Sequence, residues 1–288
     1  EVFVLDSFEE RLASNYDSLS ARLRQAADYV AAHPLDTATR SLRAVADHSG
    51  LPPATFTRMS KALGYENFQE LRDGLRQRLA RRESSFAARA TALQGDTDAS
   101  DLVARNRAAC IENIDALAAD LDNARVEEIA DRLHKARRVV VLGSLGSTGI
   151  AEYTAYMGNF LGAGWTQAGR MGTSVGASLA DLGEKDALIV FTKPPFAATS
   201  VRAAEFACER DVFVLVVTDT HTCPALRHAS ARVIVPTDSP NFFSSYVATM
   251  FLVETLMATV AKRAGPTATR RIADVEAANL TLGEVRPL

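Results

Sequence analysis

The sequence is poor in the features that would place it in a membrane, outside the cell or around a metal. None of its 288 residues belongs to an uninterrupted apolar run of about 18, the length a membrane-spanning helix needs. The opening stretch EVFVLDSFEERL lacks the basic start and apolar core of a secretory leader. Cysteine is scarce: Cys110, Cys208 and Cys223 are odd in number, widely spaced and form no CxxC pair, which argues against a disulfide framework and against a zinc site. Charge of one sign is lacking too. With 32 Lys/Arg against 35 Asp/Glu the formal net charge is −3, so whole-chain charge speaks neither for nor against a polyanionic partner. The expectation is a cytoplasmic chain with no membrane partner, no metal and no cofactor. Internal repeats and low-complexity tracts are also lacking.

What is present is apolar mass, 47% of residues, enough for two ordinary cores in a chain of this length. The two parts follow different periods. Up to about residue 82 the pattern is helical: Leu19, Leu23, Ala26, Ala27 and Val30 recur at three- and four-residue steps, and Pro34 stops that helix. The later part holds compact, β-branched runs: RVVVLG (138–143), DALIVFT (186–192), DVFVLVVT (211–218) and ARVIVP (231–236), with a weaker candidate at 164–168. Buried strands alternating with helical patterns imply a parallel sheet covered on both faces. The expected organisation is a two-domain chain. An all-α helix-turn-helix domain (1–83) and a polar linker (84–103) precede an α/β domain with a parallel sheet flanked by helices (104–265), and a helical tail (266–288) follows.

Residues 39–79 carry the first chemistry. Ser41 is a plausible N-cap for a helix through His48, and Leu42, Val45 and Ala46 supply its buried face. Gly50 makes a tight turn, and Pro52 and Pro53 suit the start of a second helix, because a first-turn proline sacrifices no helical hydrogen bond. Two short helices about a glycine turn form the unit that lays its second helix in the major groove. With Phe56, Met59 and Leu63 facing inward, Thr55, Thr57, Arg58 and Lys61 are assigned to the outer face, and Arg40 to the neighbouring surface, as groups for base edges and phosphates. From Arg40 to Arg82 nine basic residues stand against four acids, whereas residues 1–39 hold three against seven. The positive surface therefore concentrates around the proposed reader. By pattern alone, a helical bundle with a solvated basic face remains the competing reading.

The second chemistry lies in VVVLGSLGSTGIAEY. Gly143, Gly146 and Gly149 let the backbone turn sharply, and Ser144, Ser147 and Thr148 bring hydroxyls to a helix N-terminus, where anions bind well. The glycine spacing misses the dinucleotide fingerprint, and no lysine stands where a nucleotide P-loop needs one. Structural punctuation explains the turn as readily as ligand binding. A further loop, TKPPFAATS, leaves the strand 186–192 at its carboxyl end, where open α/β sheets place their ligands. Polar Ser239, Ser244 and Ser245 precede the last long apolar helix, at which Phe242 and Phe243 read as core or subunit packing.

Two resemblances follow. The pattern SL-x-x-VA-x-x-SGL, continued by AT-x-x-R-x-x-KALGY-x-x-FQEL, resembles the helix-turn-helix of RpiR-type regulators, with Pro53 standing where that family often has a capping serine. Three further stretches resemble the sugar-isomerase (SIS) domain that such regulators carry next: the V-x-x-LGS-x-GS opening, the A-x-x-A-x-x-R helix before DVFVLVVTD, and the ARVIVP strand. The resemblance implies a DNA-binding transcriptional regulator, a homodimer or homotetramer on an inverted-repeat operator in double-stranded DNA, sensing a small metabolite, a phosphosugar or a related carbohydrate-pathway compound. Matching positions for the effector are Ser144, Ser147, Thr192 and Thr199, to which Thr148, Lys193 and Ser239 are added from the residues themselves. Where the family has S-x-S-G-x-T, this chain has Pro194 and Pro195, each removing an amide donor and stiffening the backbone. Lys193 either replaces that loss with a point charge or is solvated, and the ligand is correspondingly a sugar phosphate held with its help or a different, less anionic metabolite. The alternative function is an aldose–ketose isomerase, for which Glu152 or His221 would serve as general base. A regulator without catalytic residues is the expected reading.

Overall fold

The computed structural model describes residues 8–83, 85–95, 101–170 and 172–286. It divides into two compact units at residues 96/97. The first is helical: α1 (Phe8–Asn15), α2 (Ala21–Ala32), α3 (Pro34–Thr39), α4 (Leu42–Ser49), α5 (Pro53–Ala62), α6 (Phe68–Glu83) and α7 (Phe86–Gly95). The three-and-four spacing in α2 buries Ala26, Ala27 and Val30 completely. Pro34 both ends α2 and opens α3 from its first turn. At α4 the Ser41 hydroxyl accepts the Ala44 amide at 3.2 Å, a working N-cap, and Gly50 ends the helix at φ +69°, a conformation glycine adopts without a Cβ penalty. Pro52 then sits extended at the N-cap of α5, with Pro53 at its first position.

Phe56, Met59, Leu63 and Leu71 are the largest side chains fully buried here, and Phe56 meets the rings of Tyr29 and Phe68 edge-on at 6.2 and 5.9 Å. Aromatic pairs in this geometry add to the burial of each ring. The FQEL segment has a local reason as well. Asn67 Oδ1 accepts the Glu70 amide at 3.0 Å, and the Glu70 carboxylate accepts the Glu66 amide, so the start of α6 satisfies its own free donors. The stretch expected to be a linker holds α7, which buries none of its side chains.

The second unit opens with α8 (Leu102–Asp120) and α9 (Asn123–Lys135), followed by β1 (Val139–Gly143), α10 (Thr148–Leu161), β2 (Trp165–Gln167) and α11 (Val175–Leu179). Then come β3 (Ala187–Phe191), α12 (Ala198–Cys208), β4 (Phe213–Thr218), β5 (Ala231–Ile234), α13 (Val247–Ala264) and α14 (Pro266–Leu282). The strands form one parallel sheet in the order β2-β1-β3-β4-β5. Alternation divides its residues between two cores. Val139, Val141, Ile189 and Leu215 face α9, α10 and α13, while Val140, Leu142, Leu188 and Val216 face α11 and α12. The apolar stripe of α13 is internal, with Leu252 and Leu256 buried. The weak candidate at 164–168 is the edge strand β2, held by close packing: a Cβ on Gly158 would lie 2.2 Å from the Trp165 indole.

At the amino ends of β1 and β3, Arg137 clamps the buried Asp186 through two bonds of 3.0 and 2.7 Å, and the Gly183 amide adds a third. At the other end the register aligns Gly143 with Phe191 and Phe191 with Val217, so the loops after β1, β3 and β4 leave the sheet side by side. No helix among the described residues is long and apolar enough to cross a membrane, and no group of His, Cys, Asp or Glu among them is arranged to hold a metal.

Candidate functional site

The outer face of α5 follows from what the core takes. Helical phase turns Phe56, Met59 and Ser60 inward and leaves Ala54, Arg58 and Lys61 exposed, with Thr57 half-buried between them. These four lie at i, i+3, i+4 and i+7, one continuous stripe. Arg58 Nε returns a bond to the Ala54 carbonyl at 3.3 Å, and Thr57 Oγ1 one to Pro53 at 3.4 Å. Arg40 is exposed at the end of α3, ion-paired with Asp36 at 3.3 Å and 3.2 Å from the His48 ring.

Thr55 corrects the expectation. It stands one turn before Met59 on the inward arc, is 1% exposed, and its hydroxyl has no hydrogen-bond partner. A side chain sealed behind the helix cannot reach a base edge, so Thr55 belongs to the core. Treating every polar residue of the helix as outward overlooked that positions i and i+4 share a face.

The other assembly is a polar cluster at the carboxyl ends of β1, β3 and β4. Ser144 leaves β1 with its hydroxyl 3.1 Å from that of Ser200 on α12. Ser147, buried at the first turn into α10, holds the Tyr246 hydroxyl at 2.9 Å. Lys193, half-buried after β3, donates to the Ser245 carbonyl at 3.0 Å and places Nζ 3.3 Å from the centroid of the Tyr246 ring. Thr192 is buried beside it, its amide committed to Val217 across the sheet. Asp219, just past β4, accepts from Thr237 at 3.0 Å. The segment 243–246 sits hard against the first loop, since a Cβ on Gly146 would lie 2.7 Å from Phe243. Leu145, in that loop, is an exposed non-glycine residue at φ +55°.

Electrostatics in this cluster follow burial. Desolvation pushes Lys193 down to about 7, and the negative charge of Asp219 opposes it only in part. Burial raises Tyr246 above the usual phenol range, its bond with Ser147 working the other way. Lys193 therefore changes charge near neutrality.

Of the expected effector residues, Ser144, Ser147, Thr192 and Lys193 come together here. Thr148 is exposed at the start of α10, with its hydroxyl donated to Leu145 O at 2.8 Å. Thr199 is exposed on α12. Ser239 turns into its own loop and accepts the Asn241 amide at 3.1 Å. That loop is anchored from α8, where buried Asn113 exchanges two hydrogen bonds with the backbone of Asp238. Sequence reasoning missed Ser200, Asp219 and Tyr246. The position of Asp219 directly after a buried parallel strand was the available signal; Tyr246 had none, because a tyrosine before an apolar helix reads as packing. Neither proposed base is inside the cluster: Glu152 is ion-paired with Arg170, and His221 is exposed in the turn after β4.

The helix-turn-helix domain of the rpiR family matches residues 7–82, and the SIS domain matches residues 132–259. The chain belongs to the RpiR-type regulators. As such it is a DNA-binding transcriptional regulator whose SIS domain senses a small metabolite. Two solved structures share the fold. The Vibrio vulnificus NanR protein complexed with ManNAc-6P is 18% identical, aligning over 96% of this chain and 99% of its own with a TM-score of 0.57. The sugar isomerase domain of an RpiR transcription factor from Sphaerobacter thermophilus is 24% identical over 62% of this chain and 99% of its own, at 0.58. No curated protein sequence matches the chain. Within this RpiR-type regulator, then, the α5 stripe lies in the helix-turn-helix domain and the cluster at the sheet ends lies in the SIS domain.

Proposed function

We propose that this regulator reads a sugar phosphate in the cluster beyond β1, β3 and β4 and transmits it to operator DNA through α5. The observation that carries the reading is the pairing, on one chain, of an exposed cationic helix stripe with a largely buried cluster of hydroxyls around one lysine. Ser144, Ser147, Thr192 and Lys193 would hold the phosphate, with Thr148, Thr199 and Ser239 at its margin. The chain cannot rely on amide donors at Pro194 and Pro195, so Lys193 supplies the charge an amide cradle would otherwise give. NanR, of like fold, was captured with a phosphorylated amino sugar, which supports the same ligand class here.

On the DNA side, Arg40, Thr57, Arg58 and Lys61 would contact the duplex. Paired readers in a homodimer or homotetramer would grip an inverted repeat whose half-sites lie one turn, about 34–36 Å, apart. The effector acts by binding two arrangements of the oligomer unequally, since equal affinity shifts nothing. The proposed organisation is a reader at 1–83, a connector at 84–103, a sensor at 104–265 and a tail at 266–288, in a cytoplasmic protein that uses no cofactor and catalyses no reaction.

Selection of genomic DNA fragments by the purified protein, with and without a sugar-phosphate panel, tests this. An enriched inverted repeat whose recovery changes with one phosphosugar is the expected result. No enrichment at low salt, together with ketose formation from an aldose phosphate, would replace the regulator reading with the isomerase.

A further inference from the structure

One group in the cleft is left over once the fold and the phosphate site have been accounted for. Asp219 is 6% exposed, and only its Oδ2 is used, by Thr237. Its Oδ1 is fully buried with no hydrogen-bond partner, and so is the hydroxyl of neighbouring Thr218. Buried carboxylate oxygens are nearly always satisfied, because desolvating an acceptor without a donor is costly. Lys193 is near enough for its charge state to feel Asp219, yet its contacts are with the Ser245 carbonyl and the Tyr246 ring rather than with that carboxylate. Asp219 also lies between the loop bearing Lys193 and the segment bearing Thr237, where the effector is proposed to sit.

We propose that Asp219 reads a hydrogen-bond donor on the effector, a hydroxyl or amino group, while Lys193 and the serines take its anionic end. The inference rests on the phosphosugar reading above and deepens it. An ionised carboxylate only accepts, so the free oxygen selects ligands that carry donors and repels those that present another anion. The effector is thus a phosphate monoester of a hydroxylated or aminated carbon skeleton, and phosphate alone is a poor substitute.

The sign of an isosteric, charge-removing replacement separates this from a general electrostatic effect. Asp219→Asn, in the full-length chain, removes a negative charge beside the phosphate site and a strong acceptor from the donor site. Calorimetry with inorganic phosphate is expected to show unchanged or tighter binding. With the best ligand from a panel of hexose and hexosamine phosphates, binding is expected to weaken by about tenfold, the loss of one charge-assisted hydrogen bond. Deoxy and deamino analogues tell the two donors apart: the one Asp219 reads loses about tenfold on the natural protein and nothing further on the variant. This analogue series on the natural protein decides the matter even if Asp219→Asn fails to fold. Equal affinity of both proteins for the best sugar phosphate, or equal affinity of the natural protein for every analogue, overturns the role of Asp219 while leaving the phosphosugar reading intact. A natural protein that binds no panel member overturns the phosphosugar reading itself, and the inference with it.

Discussion

On α5, Arg58 and Lys61 are exposed and form no ion pair with an acid among the described residues, whereas at the sheet ends Ser147 and Lys193 are already occupied by Tyr246. One region waits for its ligand with side chains the fold has no use for. The other keeps its ligand groups engaged with one another, so an effector must outcompete internal contacts and gains only the difference. A DNA reader can work in this open form because phosphates supply long-range attraction and contacts form on arrival. A small-molecule cleft needs directional groups, and burial keeps them in place.

The largest effect that would break the comparison is removal of the reader's core without touching the sensor's. Phe56→Ala should destabilise the helical unit by about 3–5 kcal/mol, as expected for a fully buried aromatic. Hydrogen exchange should then show lost protection in residues 8–75 with β1, β3 and β4 unaffected. Arg58→Ala should weaken binding to the selected operator by about 1–3 kcal/mol if the guanidinium makes a bidentate base contact, with little change on random DNA. Equal loss on both would make it a phosphate contact.

The sensor offers a stability test of similar size. Asp186→Ala removes the partner of Arg137 and one acceptor of the Gly183 amide, and should cost about 1–3 kcal/mol by chemical denaturation. The bond from Arg137 holds the Asp186 carboxyl below the usual carboxylate range. Its stabilisation is therefore present above the unfolded-state value and lost as the pH falls through the folded one, so the variant and the natural protein should converge in acid.

Lys193 sharpens the comparison by pH. Its titration near 7, between Asp219 and the Tyr246 ring, means the cationic form is lost as the pH rises through neutrality. Affinity for a phosphosugar should fall between about pH 7 and 9, where the phosphate is already dianionic, and Lys193→Met should flatten that dependence. An unchanged slope in the variant would assign it to another group. The smallest expected effect belongs to the correction: Thr55→Val, which replaces an unpartnered buried hydroxyl with a methyl, should leave DNA affinity unchanged and raise stability by at most about 1 kcal/mol.

The fold was legible where one interaction governs a segment. Three apolar runs became β1, β3 and β4 because strands buried on both faces leave continuous hydrophobic sequence, a shorter one became the edge strand β5, and Ser41, Gly50 and Pro53 marked helix ends by a cap bond and by local backbone conformation. Thr55 was misplaced because a polar residue inside a helix shows no direction until the phase of its neighbours is set. Asp219 and Tyr246 were illegible for another reason. Their roles depend on Thr237, Ser147 and Lys193, contacts from 18 to 99 positions away that no local pattern encodes.

The strand order carries a consequence in time. β1 is an interior strand, yet it must wait for β3, some fifty residues later in the chain, before its second edge is covered, and β4 waits in turn for β5. The helical unit closes its core within residues 8–75 and has no such debt to later sequence. During synthesis, which runs from the amino end at about 5–20 residues per second, the unit that grips DNA can finish before the last strand of the unit that governs it exists. For several seconds of every molecule's life, the hand is complete and the sense that instructs it is not.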